Sequence, residues 1–257
     1  MFESVINELS NLEEVESIAL GGSRSGNHYD EASDYDIYLY CTRPISEEKR
    51  RHILEKYCSR LELGNHFWEL EDNGTFLNGI DFDILYRNLD SFLTDVSLVV
   101  EEHLVQNAYT TCMWHNLINC KILFDRDHRL SAAVKRFSVP YPEELRRNIL
   151  NHGINLLKNT MPAYQYQINK AIKRGDLVSI NHRVSAFLET YFDMLFAVNR
   201  QTHPGEKRLI TLCQERCPIL PEHFEQNLHA LFAHMFTDSQ TALADLQNIL
   251  DALEKIL

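Results

Sequence analysis

Apolar residues recur along this chain at two spacings. Phe2, Val5, Ile6, Leu9 and Leu12 fall on one stripe, so residues 2–13 are predicted to be a helix. Glu16 to Leu20 (ESIAL) reads as a strand that stops at Gly21-Gly22, and Asp34 to Tyr40 (DYDIYLY) as a second. Ser46, followed by Glu47 and Glu48, is placed to cap a helix running to about Leu61. A strand is expected at His66 to Leu70, with turns at Asn73-Gly74 and Asn78-Gly79. Ile80 to Arg87 (IDFDILYR) is a strong strand pattern. Helical patterning resumes near Asp90, and Lys121 to Phe124 is a short strand.

Past Pro140 and Pro142 the pattern is helical throughout. Helices are predicted at roughly 142–160, 163–174, 176–200, 205–216, 221–235 and 238–257. The last carries Leu243, Leu246, Ile249, Leu250, Leu253, Ile256 and Leu257 at helical spacing, which reads as bundle packing. The expected fold class is α/β (α+β), a mixed β-sheet flanked by helices followed by an all-α bundle. Two domains are expected, 1–138 and 139–257, with their boundary between residues 126 and 142.

Composition narrows the function. The 257 residues hold 25 Lys and Arg against 37 Asp and Glu, a formal charge of −12. A broad basic face is disfavoured, so nucleic acid is not an expected partner. No apolar run approaches the ~20 residues of a membrane span, so no membrane partner is expected. The N-terminus carries acids where a signal peptide carries basic residues, and the expected location is cytoplasmic. Cys41, Cys58, Cys112, Cys120, Cys213 and Cys217 are scattered without a CxxC pair, and read as reduced structural thiols.

The chemistry concentrates in Leu20 to Tyr40. A strand runs into Gly21-Gly22-Ser23, and ten residues later Asp34-Tyr35-Asp36 heads a hydrophobic strand. Side chains two apart on a strand share a face, so Asp34 and Asp36 point together and Tyr35 and Ile37 point away. Adjacent carboxylates repel, and a divalent cation relieves the repulsion. Oxygen-only ligands favour Mg²⁺ or Mn²⁺. Glycine allows a phosphate close to the backbone, where N–H groups and a hydroxyl can hold its oxygens. A third acid is expected nearby: Asp81 and Asp83 share a face of the IDFDILYR strand. The choice between them depends on a strand register that the sequence leaves open.

Gly21-Gly22-Ser23, the spacer, Asp34-Tyr35-Asp36-Ile37 and the later Asp83 together resemble the DNA polymerase beta-like nucleotidyltransferase superfamily. A strand-rich half followed by a helical half is similar to its small-molecule branch, which includes antibiotic nucleotidyltransferases. Within that branch, Phe196 to Arg200 (FAVNR) followed by Pro204 to Arg208 (PGEKR) resembles a bacterial group of unassigned acceptor. The resemblance implies a nucleotidyltransferase fold and transfer of a nucleoside monophosphate, AMP from ATP, to a hydroxyl of an aminoglycoside- or lincosamide-like molecule. It implies two Mg²⁺ ions and a nucleoside triphosphate, with Asp34, Asp36 and Asp83 as metal ligands and catalytic residues. Gly22, Ser23 and Arg24 would then meet the triphosphate. Nucleotidylation of a protein or RNA end, and non-catalytic nucleotide binding, are the alternative readings.

The helical half adds candidates. His182, Glu189, Asp193 and Arg200 fall close to one line on the 176–200 helix, a paired polar stripe or a cleft wall. In the second case Glu189 and Asp193 would meet the acceptor, as Asp81 could. Lys207 and Arg208 follow Pro204-Gly205 at a predicted helix start and could hold phosphate. His28 could contact nucleotide or acceptor, and Trp68 and Trp114 read as core or interface aromatics.

Overall fold

The structure, a computed structural model, describes residues 1–25, 33–67 and 69–257, with the backbone alone at Ser23 and Ser239. His28 and Trp68 lie outside the described residues. The chain forms two compact units, Met1–Ser97 with Asn116–Val139, and Leu98–His115 with Pro140–Leu257.

The first unit is a six-stranded mixed sheet with flanking helices. Helix α1 (Phe2–Ser10) buries Val5, Ile6 and Leu9, the stripe its sequence predicts. Strands β1 (Val15–Leu20) and β2 (Tyr35–Cys41) run antiparallel, and both are largely buried. Helix α2 (Glu47–Leu54) is capped by Ser46, whose side chain accepts from Lys49 N at 3.4 Å. It ends seven residues before the expected Leu61. From Cys58 the spacing changes to two, with half-buried Leu61 and Leu63 alternating with exposed Arg60 and Glu62, and the chain becomes β3 (Cys58–Asn65).

Strand β4 (Glu71–Phe76) corrects two further expectations. The described residues of 66–70 form bends, and the expected turn Asn73-Gly74 lies inside β4. Packing explains the glycine: a Cβ at Gly74 would lie 2.6 Å from Cζ of Phe82. The Asn78-Gly79 turn is present, with Gly79 at φ +83° and its N–H bonded to Phe76 O at 2.8 Å. Strand β5 (Asp81–Arg87) follows, then α3 (Leu89–Val100), α4 (Cys112–Asn119), β6 (Lys121–Asp125) and α5 (Arg129–Phe137). The order across the sheet is β3-β4-β5-β2-β1-β6. Among the described residues only the central β5–β2 pair is parallel. Val15, Ile18, Leu20, Ile37, Leu39, Phe76, Phe82 and Ile84 join the α1 and α2 stripes in one core.

The second unit is helical. Its elements include α6 (Glu143–Ile154), which continues into a π-helical turn at Asn155–Asn159, and α7 (Tyr164–Arg174). Helices α8 (Leu177–Val198), α9 (Leu209–Arg216), α10 (Phe224–His234) and α11 (Ser239–Glu254) follow. Asp176 and Asp238 cap α8 and α11 by accepting from Ser179 N and Thr241 N. Every residue from Thr190 to Val198 is buried, so α8 is the central helix of this unit, as an element apolar around its circumference must be. Leu246, Ile249, Leu250 and Leu253 of α11 are buried as bundle packing requires, and Trp114 is buried against Tyr141. Among the described residues no helix is long and apolar enough to cross a membrane.

Candidate active site

Three carboxylates meet at the head of the central parallel pair. Asp36 of β2 lies opposite Asp83 of β5, one register step before Ile37 and Ile84. Asp34 precedes β2 by one residue. Each of Asp34, Asp36 and Asp83 is half-buried and offers a carboxylate oxygen within 4.8 Å of those of the other two. In a parallel pair, residues in register project side by side from the same face. The sequence distance of 47 between Asp36 and Asp83 therefore collapses to a cross-strand neighbour.

The opposite face of the same strand head anchors it. Tyr35 stacks on Phe2 at 4.2 Å between ring centroids, and meets Phe76 edge-on at 5.9 Å. Phe76 in turn stacks on Phe82 at 4.4 Å. Alternation thus puts Tyr35, Ile37, Phe82 and Ile84 into the core, and Asp36 and Asp83 on the other side.

The glycines stand where a side chain would collide, at Gly21 with the Tyr38 ring and at Gly22 with Asp36. Gly21 N donates to Asp36 O at 2.8 Å, holding the end of β1 beside the start of β2. Gly22 has φ +58°, and a Cβ there would lie 1.7 Å from Asp36 Oδ2. Only glycine combines that backbone conformation with that approach. Ser23 opens a 3₁₀ turn, Ser23–Ser25. Arg24 in the same turn donates from Nε to Ser33 O at 2.6 Å and lies 4.1 Å over the Tyr35 ring.

Asp83 is held from the β4 side. Asn73 is its cross-strand partner and donates from Nδ2 to Asp83 Oδ1 at 2.6 Å. Asn65 of β3 donates from Nδ2 to Asn73 Oδ1 at 2.6 Å. Sequence reading missed both asparagines, because Asn73-Gly74 carries a turn signal that only the sheet overrides. Asp81 stands apart from the cluster. It is exposed and accepts from Thr75 Oγ1 at 2.6 Å.

The remaining candidates belong to the second unit. Asp193 is buried, and its oxygens accept from Thr110 N at 3.1 Å and Thr110 Oγ1 at 2.7 Å. Burial pushes its carboxyl up to about 7. Glu189 is half-buried, and its carboxyl is raised by burial and then by Glu206. His182 is exposed, and Arg200 pairs with Glu143 at 2.9 Å. Lys207 and Arg208 are exposed just before α9, with Arg208 at φ +59°.

Residues 108–209 match the profile of a family described as a domain of unknown function, DUF4037. No curated protein matches the chain. Among solved structures the chain is similar to a nucleotidyltransferase-like protein from Exiguobacterium sibiricum, at 12% identity and a TM-score of 0.47, over 98% of this chain and 75% of that one. It is also similar to an aminoglycoside 6-adenyltransferase from Bacillus subtilis, at 11% identity and a TM-score of 0.33, over 100% and 89% of the two chains. A third is a spectinomycin adenyltransferase from Enterococcus faecialis, solved with ATP and spectinomycin, at 12% identity and a TM-score of 0.29, over 97% and 98%. Likenesses this distant carry no residue roles across, and those proposed for this chain rest on its own geometry.

Proposed function

We propose that this chain is a metal-dependent nucleotidyltransferase that moves a nucleoside monophosphate, AMP from ATP, onto a hydroxyl of a small molecule. The observation that carries the reading is the convergence of Asp34, Asp36 and Asp83, all half-buried, within 4.8 Å at the strand heads, on the face opposite the core that holds Ile37, Phe82 and Ile84. Three carboxylates so close are costly unless a cation shares them. The donor set is oxygen alone, and the Gly22 backbone sits against Asp36 with no Cβ between, so the residues fit Mg²⁺ or Mn²⁺.

Asp34, Asp36 and Asp83 would hold the metal. Bound there, divalent ions neutralise charge on a triphosphate and acidify an attacking hydroxyl. In the transfer, a bond forms between the acceptor oxygen and the α-phosphorus, and the bond from that phosphorus to the leaving pyrophosphate breaks. Asp83, whose Oδ1 accepts from Asn73, would take the acceptor's proton. Gly22 lets phosphate oxygens approach the backbone of the Ser23–Ser25 turn, and Arg24 adds a cation in that turn.

Calorimetric titration of the four ribonucleoside triphosphates, with Mg²⁺ and with EDTA, tests this. Wild type is expected to bind ATP only with Mg²⁺, and Asp36→Asn to lose that binding while keeping its far-UV circular dichroism. Equal binding with EDTA, or an Asp36→Asn variant that binds as wild type does, overturns the reading. With the donor labelled at its α-phosphate, label is expected on small hydroxylated acceptors. Label confined to macromolecules would replace the small-molecule acceptor by a protein or RNA end.

A further inference from the structure

The middle of β4 holds a residue that strand formation does not explain. Asparagine is depleted in strands, and its side chain competes with the ladder for backbone hydrogen bonds. Asn73 nevertheless pairs across the sheet, with Glu62 on β3, next to a shift in register, and with Asp83 on β5. Its neighbours have their own reasons to be there. Asp72 is buried and bound to Arg50, to Tyr86 Oη at 2.7 Å and to Gly64 N at 2.9 Å. Gly74 makes room for Phe82. Asn73 has its side chain on the site face, with its amide oxygen and one amide N–H in a row that runs from β3 to the acids.

The direction of that row is fixed by chemistry. An ionised carboxylate only accepts, so the nitrogen of the Asn73 amide must face Asp83 and its oxygen must face away. Asn65 supplies the donor that this orientation requires, at 2.6 Å. Two amides in series therefore point their N–H groups toward Asp83 Oδ1, also reached at 2.6 Å. Oδ1 of Asp83 thus accepts from the protein and the carboxyl plane is held, while the carboxylate keeps an oxygen within 4.8 Å of those of Asp34 and Asp36.

We propose that Asn73 is a positioning residue that fixes the orientation of the Asp83 carboxylate toward the metal, and that Asn65 sets the orientation of the Asn73 amide. The inference rests on the metal-dependent reading of the three acids. Partners of this kind typically change metal affinity by about 10-fold or more when removed, without touching the metal. A donor that served only the sheet would change stability and leave affinity alone.

The test is Mn²⁺ binding to the nucleotide-free full chain, followed by the electron paramagnetic resonance of free Mn²⁺, with the melting temperature of each metal-free protein as the second readout. The proteins are wild type, Asp36→Asn, Asn73→Leu, Asn65→Ala and Thr75→Val. Leucine keeps the size and branching of asparagine at position 73 and removes the donor. Thr75→Val removes an equivalent cross-strand bond, to Asp81, one row further from the acids. Wild type is expected to bind and Asp36→Asn to fail. Asn73→Leu is expected to bind about 10-fold more weakly at an unchanged metal-free melting temperature, with Asn65→Ala weaker in the same direction and Thr75→Val unchanged. If Asn73→Leu does not fold, Asn65→Ala alone decides, because position 65 ends a strand at the sheet edge. Wild-type affinity in both asparagine variants overturns this inference and leaves the metal site standing. Equal weakening in Thr75→Val overturns it too, by showing a general effect of the sheet. No Mn²⁺ binding by wild type overturns the metal site itself and the inference with it.

Discussion

Gly22 and Asp36 share a space that admits one side chain. The residue at position 22 has φ +58°, and an added methyl would meet Asp36 Oδ2 at 1.7 Å. Gly22→Ala must therefore rotate Asp36 out of the cluster or shift the end of β1. The expected result is loss of metal-dependent triphosphate binding by calorimetry, with the sheet retained by circular dichroism. Asp83→Asn keeps the shape of the carboxyl and removes its capacity to accept a proton. In the proposed reaction, kcat for transfer to a hydroxyl is expected to fall by about 10²–10⁴-fold. An unchanged kcat in single-turnover assays would remove Asp83 from the role of base. At this scale the sequence was legible where residue types recur at fixed spacing. Asp34 and Asp36 declare a shared face by being two apart, and Gly22 declares close approach by being glycine. Asp81 and Asp83 are equally two apart, and from the sequence only the deeper place of Asp83 in the strand favours it.

At the scale of elements, β4 shows what local pattern does not reach. Its sequence, EDNGTF, contains a turn dipeptide and two acids, and it is a strand because its neighbours make it one. Asp72 is wholly buried and offset by Arg50 of α2, whose guanidinium also lies 4.9 Å over the Tyr86 ring. Burial pushes the Tyr86 phenol well above its ordinary range, so it stays a neutral donor to Asp72. Arg50→Met leaves that carboxylate without its cation in the interior. Its unfolding free energy in urea is expected to drop by about 3–5 kcal/mol. Arg50→Met with Asp72→Leu is expected to recover much of that loss, because the pair is then replaced by apolar contact. The helices of the second unit were far more legible, because most of them, such as α7, α8 and α11, carry their own buried stripe. Helix α5 also had one, Leu130, Ala133 and Phe137, in a segment read only as the boundary between halves.

For the whole molecule, acid should work against the fold at some buried groups and for it at others. Burial pushes His115 down to about 4 and His203 down to about 3. Both are neutral in the native state, while an unfolded chain takes protons on them below about 6.5. Their contribution is present above pH 6.5 and is lost as pH falls toward 4. Asp193 has the opposite sign. Its folded value of about 7 exceeds its unfolded value, so the native chain holds a proton that the unfolded chain has released. Its contribution is present below about pH 4 and lost as pH rises to 7. Asp193→Asn deletes the term that offsets acid loss. Between pH 4 and 7 its unfolding free energy should therefore depend more steeply on pH than wild type, by at most about 1.4 kcal/mol per pH unit. Urea titrations of the two proteins at four pH values measure this, and parallel curves would show that Asp193 does not titrate in that range.

The sequence by itself determined the elements whose apolar run or stripe is complete within one segment. These are α1, β1, β2, β5 and the helices from α6 onward, together with the chemistry of the Gly21-Gly22 and Asp34-Tyr35-Asp36 stretch. Such features depend on side-chain spacing along one element, and spacing is written in the chain. Tertiary structure decided what depends on register between elements. It placed Asp83 opposite Asp36 and left Asp81 with Thr75, turned Asn73-Gly74 from a turn into the middle of a strand, and aimed Asn73 at Asp83 and Asn65 at Asn73. A one-residue slip of β5 would exchange its faces without altering a letter of the sequence. The packing of Phe76, Phe82 and Ile84 into the core fixes that register, and with it the third carboxylate.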